Sequence, residues 1–129
     1  MTTLAINTED YMFIDSARMT GKATPTIHID NRVYTHVEWL LGQFIGERAN
    51  VDYMRNFHCI VPIPGNRELI VSIDSMYVYW RKCEAEDGEW YEPTEIHPMW
   101  SEAYLYDEDG EKIPHDFDIN IVLRRLTTH

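Results

Sequence analysis

The run "ELIVSIDSMYVYW" (Glu68 to Trp80) most restricts how this 129-residue chain can fold. Its β-branched and aromatic residues suit a pleated strand. Leu69, Val71 and Ile73 share one parity, whereas Met76, Val78 and Trp80 share the other. Side chains alternate strictly between the faces of a strand, so one unbroken strand buries only one of these sets. A bulge or turn near Asp74-Ser75 is expected to return both sets to one core.

The remaining elements read around that run. "LAIN" (Leu4 to Asn7) and "YMFID" (Tyr11 to Asp15) are short strand candidates. In "TIHIDNRVYT", Ile27 and Ile29 alternate and Asp30-Asn31 tolerates positive φ, which predicts a hairpin. Thr35 with Glu38 forms a capping-box pattern, and Val37, Leu40, Leu41, Phe44 and Ile45 follow at helical spacing. A helix over about Thr35 to Arg48 is expected, with Gly42 and Gly46 each costing up to ~1 kcal/mol of propensity and permitting close packing on a sheet. "NVDYMRNF" reads as a helical turn or a loop, and "CIVPI" as a strand with Pro62 at an edge or bulge. Pro64-Gly65-Asn66 turns the chain, and Asp87-Gly88 and Asp109-Gly110 are hairpin turns. Phe117, Ile119, Ile121 and Leu123 alternate as in a strand, although Ile119, Val122, Leu123 and Leu126 also fit a helix; the strand is preferred. The sum is one α+β domain over residues 1–129: a mostly antiparallel β-sheet with one principal amphipathic helix packed on it.

Charge is the second constraint. The chain has 22 acidic and 11 basic residues, a net charge of −11, which opposes direct binding to nucleic acid or anionic membranes. The excess is local: Glu84 to Asp118 holds thirteen acids and one base, Lys112. Cys59 and Cys83 lack metal or redox spacing, and "MTTLAINTEDYMF" has no signal-peptide pattern. No stretch approaches the roughly 18 apolar residues of a membrane span. A reducing cytoplasm is expected, that of the host cell if the chain is phage-encoded.

Enzymatic chemistry finds little purchase. Aligning Gly110 with the glycine of a calcium loop puts Asp107, Asp109 and Asp116 at ligand positions, but position one is Leu105 and the last ligand is Asp. A charged hairpin turn is the better reading. His28-x-Asp30 and His36-x-Glu38 resemble fragments of metal sites, but their acids already have turn and cap uses. His58 and Cys59, adjacent on a strand, point to opposite faces, so Cys59 is read as a core residue. No nucleophile elbow or phosphate loop is present. No catalytic residue, metal or cofactor is assigned.

The acidic segment carries the functional expectation. Two like charges ~7 Å apart in water repel by ~0.6 kcal/mol, a cost that interspersed cations would remove. Trp90, Tyr91, Trp100, Tyr104 and Tyr106 lie in the same stretch. Aromatics anchor interfaces, whereas acids are normally depleted there, so a surface rich in both suits a strongly basic partner. In size and charge the chain resembles small acidic phage-encoded inhibitors that disable nucleases or CRISPR complexes by imitating DNA; the likeness is one of composition. The expected function is a non-enzymatic, nucleic-acid-mimicking inhibitor, monomeric or homodimeric, of a basic nucleic-acid-binding protein. Glu84, Glu86, Asp87, Glu89, Glu92, Glu95, Asp107, Glu108, Asp109 and Glu111 are its phosphate-like groups, and Trp90, Tyr91 and Tyr106 its anchors. Two rivals stand beside it. One is a nucleotide or small-anion site built from Arg81, Lys82, Arg124, Arg125 and a histidine; the other is a structural assembly subunit.

Overall fold

The computed structural model describes residues 24–128. In chain order the elements are α1 (Asn31–Gly46), β1 (Tyr53–Ile63), β2 (Arg67–Ala85), β3 (Gly88–Tyr106), β4 (Lys112–Ile113) and α2 (Ile119–Thr127). The strands form one antiparallel sheet in the order β1-β2-β3-β4. The fold is α+β as expected, and among the described residues a second, shorter helix accompanies the principal one. The "LAIN" and "YMFID" strands lie outside the described residues.

β2 resolves the parity conflict as expected. Leu69, Val71, Ile73, Met76 and Val78 are all buried in one core, with register shifts against β3 around Ser75. The neighbours slip with it. Arg55-Asn56, Asp74-Ser75 and Met99-Trp100 form consecutive pairs off the core face of β1, β2 and β3. Asn56 takes a left-handed φ of 66° opposite Asp74, so β1 and β2 change face together without losing register. The coordinated slip leaves Met99 and Trp100 exposed at 61% each. On the core side, Val61, Leu69, Leu105 and Ile113 pair in one row across all four strands. Pro62 sits on β1, an edge strand among the described residues, which is where a sheet tolerates proline. Tyr53 to Phe57 of "NVDYMRNF" belongs to β1 rather than to a helix or loop.

Both helix starts correct the sequence reading. Asp30-Asn31 is no hairpin turn: Asp30 is the N-cap of α1, its Oδ1 accepting the Arg32 N–H at 2.7 Å. That bond holds the Asp30 carboxyl below its usual pKa. Thr35 is thus inside the helix and caps nothing. Val33, Tyr34, Val37, Leu41 and Ile45 make its buried stripe. A Cβ on Gly42 would meet Leu126 Cδ2 of α2 at 3.3 Å, so this glycine admits the second helix rather than the sheet. The strand expected at Phe117 to Leu123 is instead helical from Ile119, with Asp118 as the N-cap of α2. Asp118 accepts the Asn120 N–H at 2.9 Å, and adjacent Val122 and Leu123 are both buried. Arg124 and Arg125 fall in its last turn, where cations complement the helix dipole.

A clasp ties the chain before α1 to the chain before α2. Asp116 accepts the Ile29 N–H at 2.7 Å and lies 2.8 Å from His28 Nδ1. The Ile29 N–H, then His28, lower the Asp116 pKa. Tyr34 stacks on Phe117 with centroids 4.8 Å apart. A carboxyl with a lowered folded pKa contributes stability above its unfolded value, lost as pH falls through the folded value. Asp116→Asn is therefore expected to lower the melting temperature at pH 7, with the gap from wild type closing in acid below the ordinary carboxylate range. A gap unchanged down to full protonation would assign the loss to packing instead.

Candidate protein-interaction surface

The acidic segment occupies the two ends of β3 and the strand between them. β1 pairs with β2 only as far as Tyr53↔Tyr77, and the Val78 N–H still donates to the Asp52 carbonyl at 2.8 Å; from Tyr79 to Ala85 the strand pairs with β3 and the hairpin runs on as a two-stranded ribbon. Such ribbons are marginal unsupported. This one is braced at its base, where Trp80 Nε1 donates to the Val51 carbonyl at 2.8 Å. Trp80, Tyr91 and Pro93 also line a cavity with Gly42, Ile45 and Leu126 of the helices.

Beyond that base the ribbon is solvated and charged. Its turn is at Glu86-Asp87, followed by Gly88 at φ 142°. Glu84 and Glu89 pair across the strands, and Lys82 lies 3.6 and 3.3 Å from them. On the other face Arg81 donates to Glu92 Oε1 at 2.7 Å, and Trp90 Nε1 donates to Glu92 Oε2 at 3.0 Å. Glu92 leads the contacts that raise the Arg81 pKa. Glu95 lies 2.8 Å from His97 Nε2.

The second acidic group sits in the β3–β4 loop. Asp107 Oδ1 accepts the N–H groups of Asp109 and Glu111 at 2.9 and 3.0 Å, so Asp107 builds the turn. Gly110 follows at φ 82°. Glu108 accepts from Asn66 Nδ2 at 3.4 Å, and Asp109 and Glu111 are exposed. At ~3.3 Å per residue, β3 places roughly 60 Å of strand between this loop and the ribbon tip. The thirteen selected residues are thus not one surface: Glu84, Glu86, Asp87 and Glu89 gather at the tip, Asp107, Glu108, Asp109 and Glu111 at the far loop. Tyr91 turns toward the helices, and Tyr106 packs beside Tyr104.

No known protein family, curated protein or solved structure matches the chain.

Paired residues of neighbouring strands share a face, which identifies side chains that sequence reasoning passed over. Away from the core, Tyr53, Tyr77 and His97 lie in one row across β1, β2 and β3, and Tyr79 pairs with Glu95 in the next. Tyr53, Tyr77, Tyr79 and Trp100 are all exposed. Glu102, unselected from sequence, accepts from Trp100 Nε1 at 2.6 Å. A hydrogen bond to Glu102 also leads the causes raising the Tyr104 pKa. The available signal was Trp-x-Glu, present at both Trp90 and Trp100: on a strand, i and i+2 share a face, so each indole meets its carboxylate.

The rival cations do not converge. Arg81 and Lys82 occupy opposite faces of β2 and meet different acids. Arg125 lies 3.6 Å from Glu38 and donates to Asn31 on α1. Arg124 lines a separate depression with Glu95, His97 and Asn120. Among the described residues no three His, Cys, Asp or Glu side chains gather to hold a metal ion, and no helix is long and apolar enough to cross a membrane.

The cysteines differ in environment. Burial pushes the Cys59 thiol up to about 11, whereas Cys83 is half-buried at the ribbon and beside Arg81. Because the thiolate is the reactive form, iodoacetamide at mildly alkaline pH is expected to modify Cys83 in the native protein and both thiols after denaturation. Peptide mass spectrometry checks this; equal native labelling would contradict the buried placement of Cys59.

Proposed function

We propose that this chain is a non-enzymatic acidic protein that occupies the nucleic-acid site of a basic partner. The class of action is that of a phage or mobile-element inhibitor of a host defence system, such as a CRISPR complex or restriction nuclease, in the host cytoplasm. The observation that carries this reading is the projecting β2–β3 ribbon. Its tip places Glu84, Glu86, Asp87 and Glu89 in solvent with Lys82 as the cation among them. Carboxylates on a paired, braced ribbon keep a defined spacing, so they enter a phosphate-binding groove with less ordering cost than a flexible acidic tail. Glu92 and Glu95 continue the charge along β3. The far loop serves the same partner only if the partner spans the sheet.

Affinity capture from nuclease-treated host lysate tests the proposal. A nucleic-acid-binding protein should be retained at low salt, released at high salt and displaced by duplex DNA or RNA. Retained protein that nucleic acid cannot displace would contradict mimicry.

A further inference from the structure

We propose that the face of the sheet opposite α1 and α2 recognises an arginine- and lysine-rich polypeptide segment of the partner, holding its cations between aromatic rings and carboxylates. The inference rests on the basic-partner reading above, and assigns to it a surface distinct from the ribbon tip.

Three couples repeat along this face of β3. Trp90 donates to Glu92, Glu95 meets His97, and Trp100 donates to Glu102. Each ring and acid stand two residues apart and so share a face, and the register shifts at Tyr79/Trp80 and around Ser75 return all three couples to the same side of β3. Around them lie the Tyr53–Tyr77 pair, with centroids 5.0 Å apart, and Tyr79, 5.4 Å from His97. Guanidinium and ammonium groups are attracted both to aromatic faces and to carboxylates. Carboxylates already engaged by ring N–H groups are held in place for that contact.

The chain's own cations already use this chemistry. Arg81 lies on Glu92 beside Trp90, and Lys112 Nζ is 4.1 Å from the Tyr104 ring centroid. Both rings and both cations belong to this face of the strands. Charge selects among other occupants. A second copy would bring a further chain of net charge −11 against a face that carries Glu92, Glu95 and Glu102, a net repulsion that a basic segment does not meet. A nucleic-acid strand would find rings to stack on, but would set its phosphates among the same acids.

The test uses the full chain with labelled oligoarginine and oligolysine peptides of equal length, read by fluorescence anisotropy. Arginine stacks on aromatic faces better than lysine, so wild type should prefer oligoarginine. The double variant Tyr77→Thr/Trp100→Thr should lose that preference and bind oligoarginine about tenfold more weakly. Both side chains are exposed, and a urea melt confirms that the variant is folded. A Glu86→Lys/Asp87→Lys tip variant should change oligoarginine binding less than the face variant does. If the tip variant alone weakens binding, the face assignment is wrong and the basic-partner reading survives. If neither peptide binds wild type, both fall. Concentration-dependent dimerisation abolished by Tyr77→Thr would overturn the proposal in favour of a second copy.

Discussion

Reversing Glu84, Glu86, Asp87 and Glu89 to Lys is expected to abolish capture of the basic partner while leaving the fold in place. The four changes move the net charge by +8, from −11 to −3, and all of that change is at the ribbon tip. Each substitution removes an attraction and adds a repulsion, and like charges set against each other across an interface are strongly unfavourable. A loss of about a hundredfold or more in affinity follows. The fold should not notice. All four side chains are exposed, and the ribbon they occupy extends beyond β1. The Lys82 contacts that disappear are exposed pairs of the kind worth little to stability. Circular dichroism should be unchanged and the melt nearly so. Unchanged affinity in a folded variant would remove the tip from the interface.

The largest stability effect is expected from Leu69→Ala. Leu69 is fully buried at the centre of the row Val61–Leu69–Leu105–Ile113, where four strands meet. Truncating a buried Leu costs about 2–5 kcal/mol, a large part of the roughly 5–15 kcal/mol that holds a domain together. Ile60→Ala is the matched control. It lies on β1 within the same pair of strands but faces away from the core at 51% exposure, so its loss should stay near or below ~1 kcal/mol. Urea titration of both variants measures the difference. Equal losses would mean that both faces of the sheet are covered in solution.

Much of this architecture was legible in the sequence because period and parity are local properties. The slip within Glu68 to Trp80 announced itself, and the turns at Pro64 to Asn66, Asp87-Gly88 and Asp109-Gly110 all appear near their expected places. The two errors at the helix starts share one cause: Asp serves both caps and turns by accepting a nearby backbone N–H. At Asp30 the sequence reads as a hairpin because Ile27 and Ile29 alternate before it, yet the carboxylate caps a helix. At Asp118 an alternating run and a helical run coincide over the same residues. The helix wins because it buries Val122 and Leu123 together, and the Asp118 N–H meets the Tyr34 hydroxyl at 2.9 Å. That bond spans most of the chain and leaves no trace in a local window.

The candidate site was legible only as composition. Thirteen acids in one stretch read as a single feature, but two 19-residue strands carry its halves to opposite ends of the sheet. Tyr53 and Tyr77 join that surface from other parts of the sequence, through strand pairing alone. The Trp-x-Glu repeats were visible, and their meaning depended on knowing that both sit on β3.

Hydroxyl-radical footprinting of the complex with the captured basic partner tests most directly whether the ribbon and the sheet face opposite α1 and α2 form the interface. Aromatic side chains report strongly, and the fold supplies a control in Trp39, which is 58% exposed on the helical side. Protection of Trp90, Trp100 and Tyr77 with Trp39 unchanged is the predicted pattern. Protection of Trp39 with Trp90, Trp100 and Tyr77 still reactive would place the partner on the helices and contradict the account.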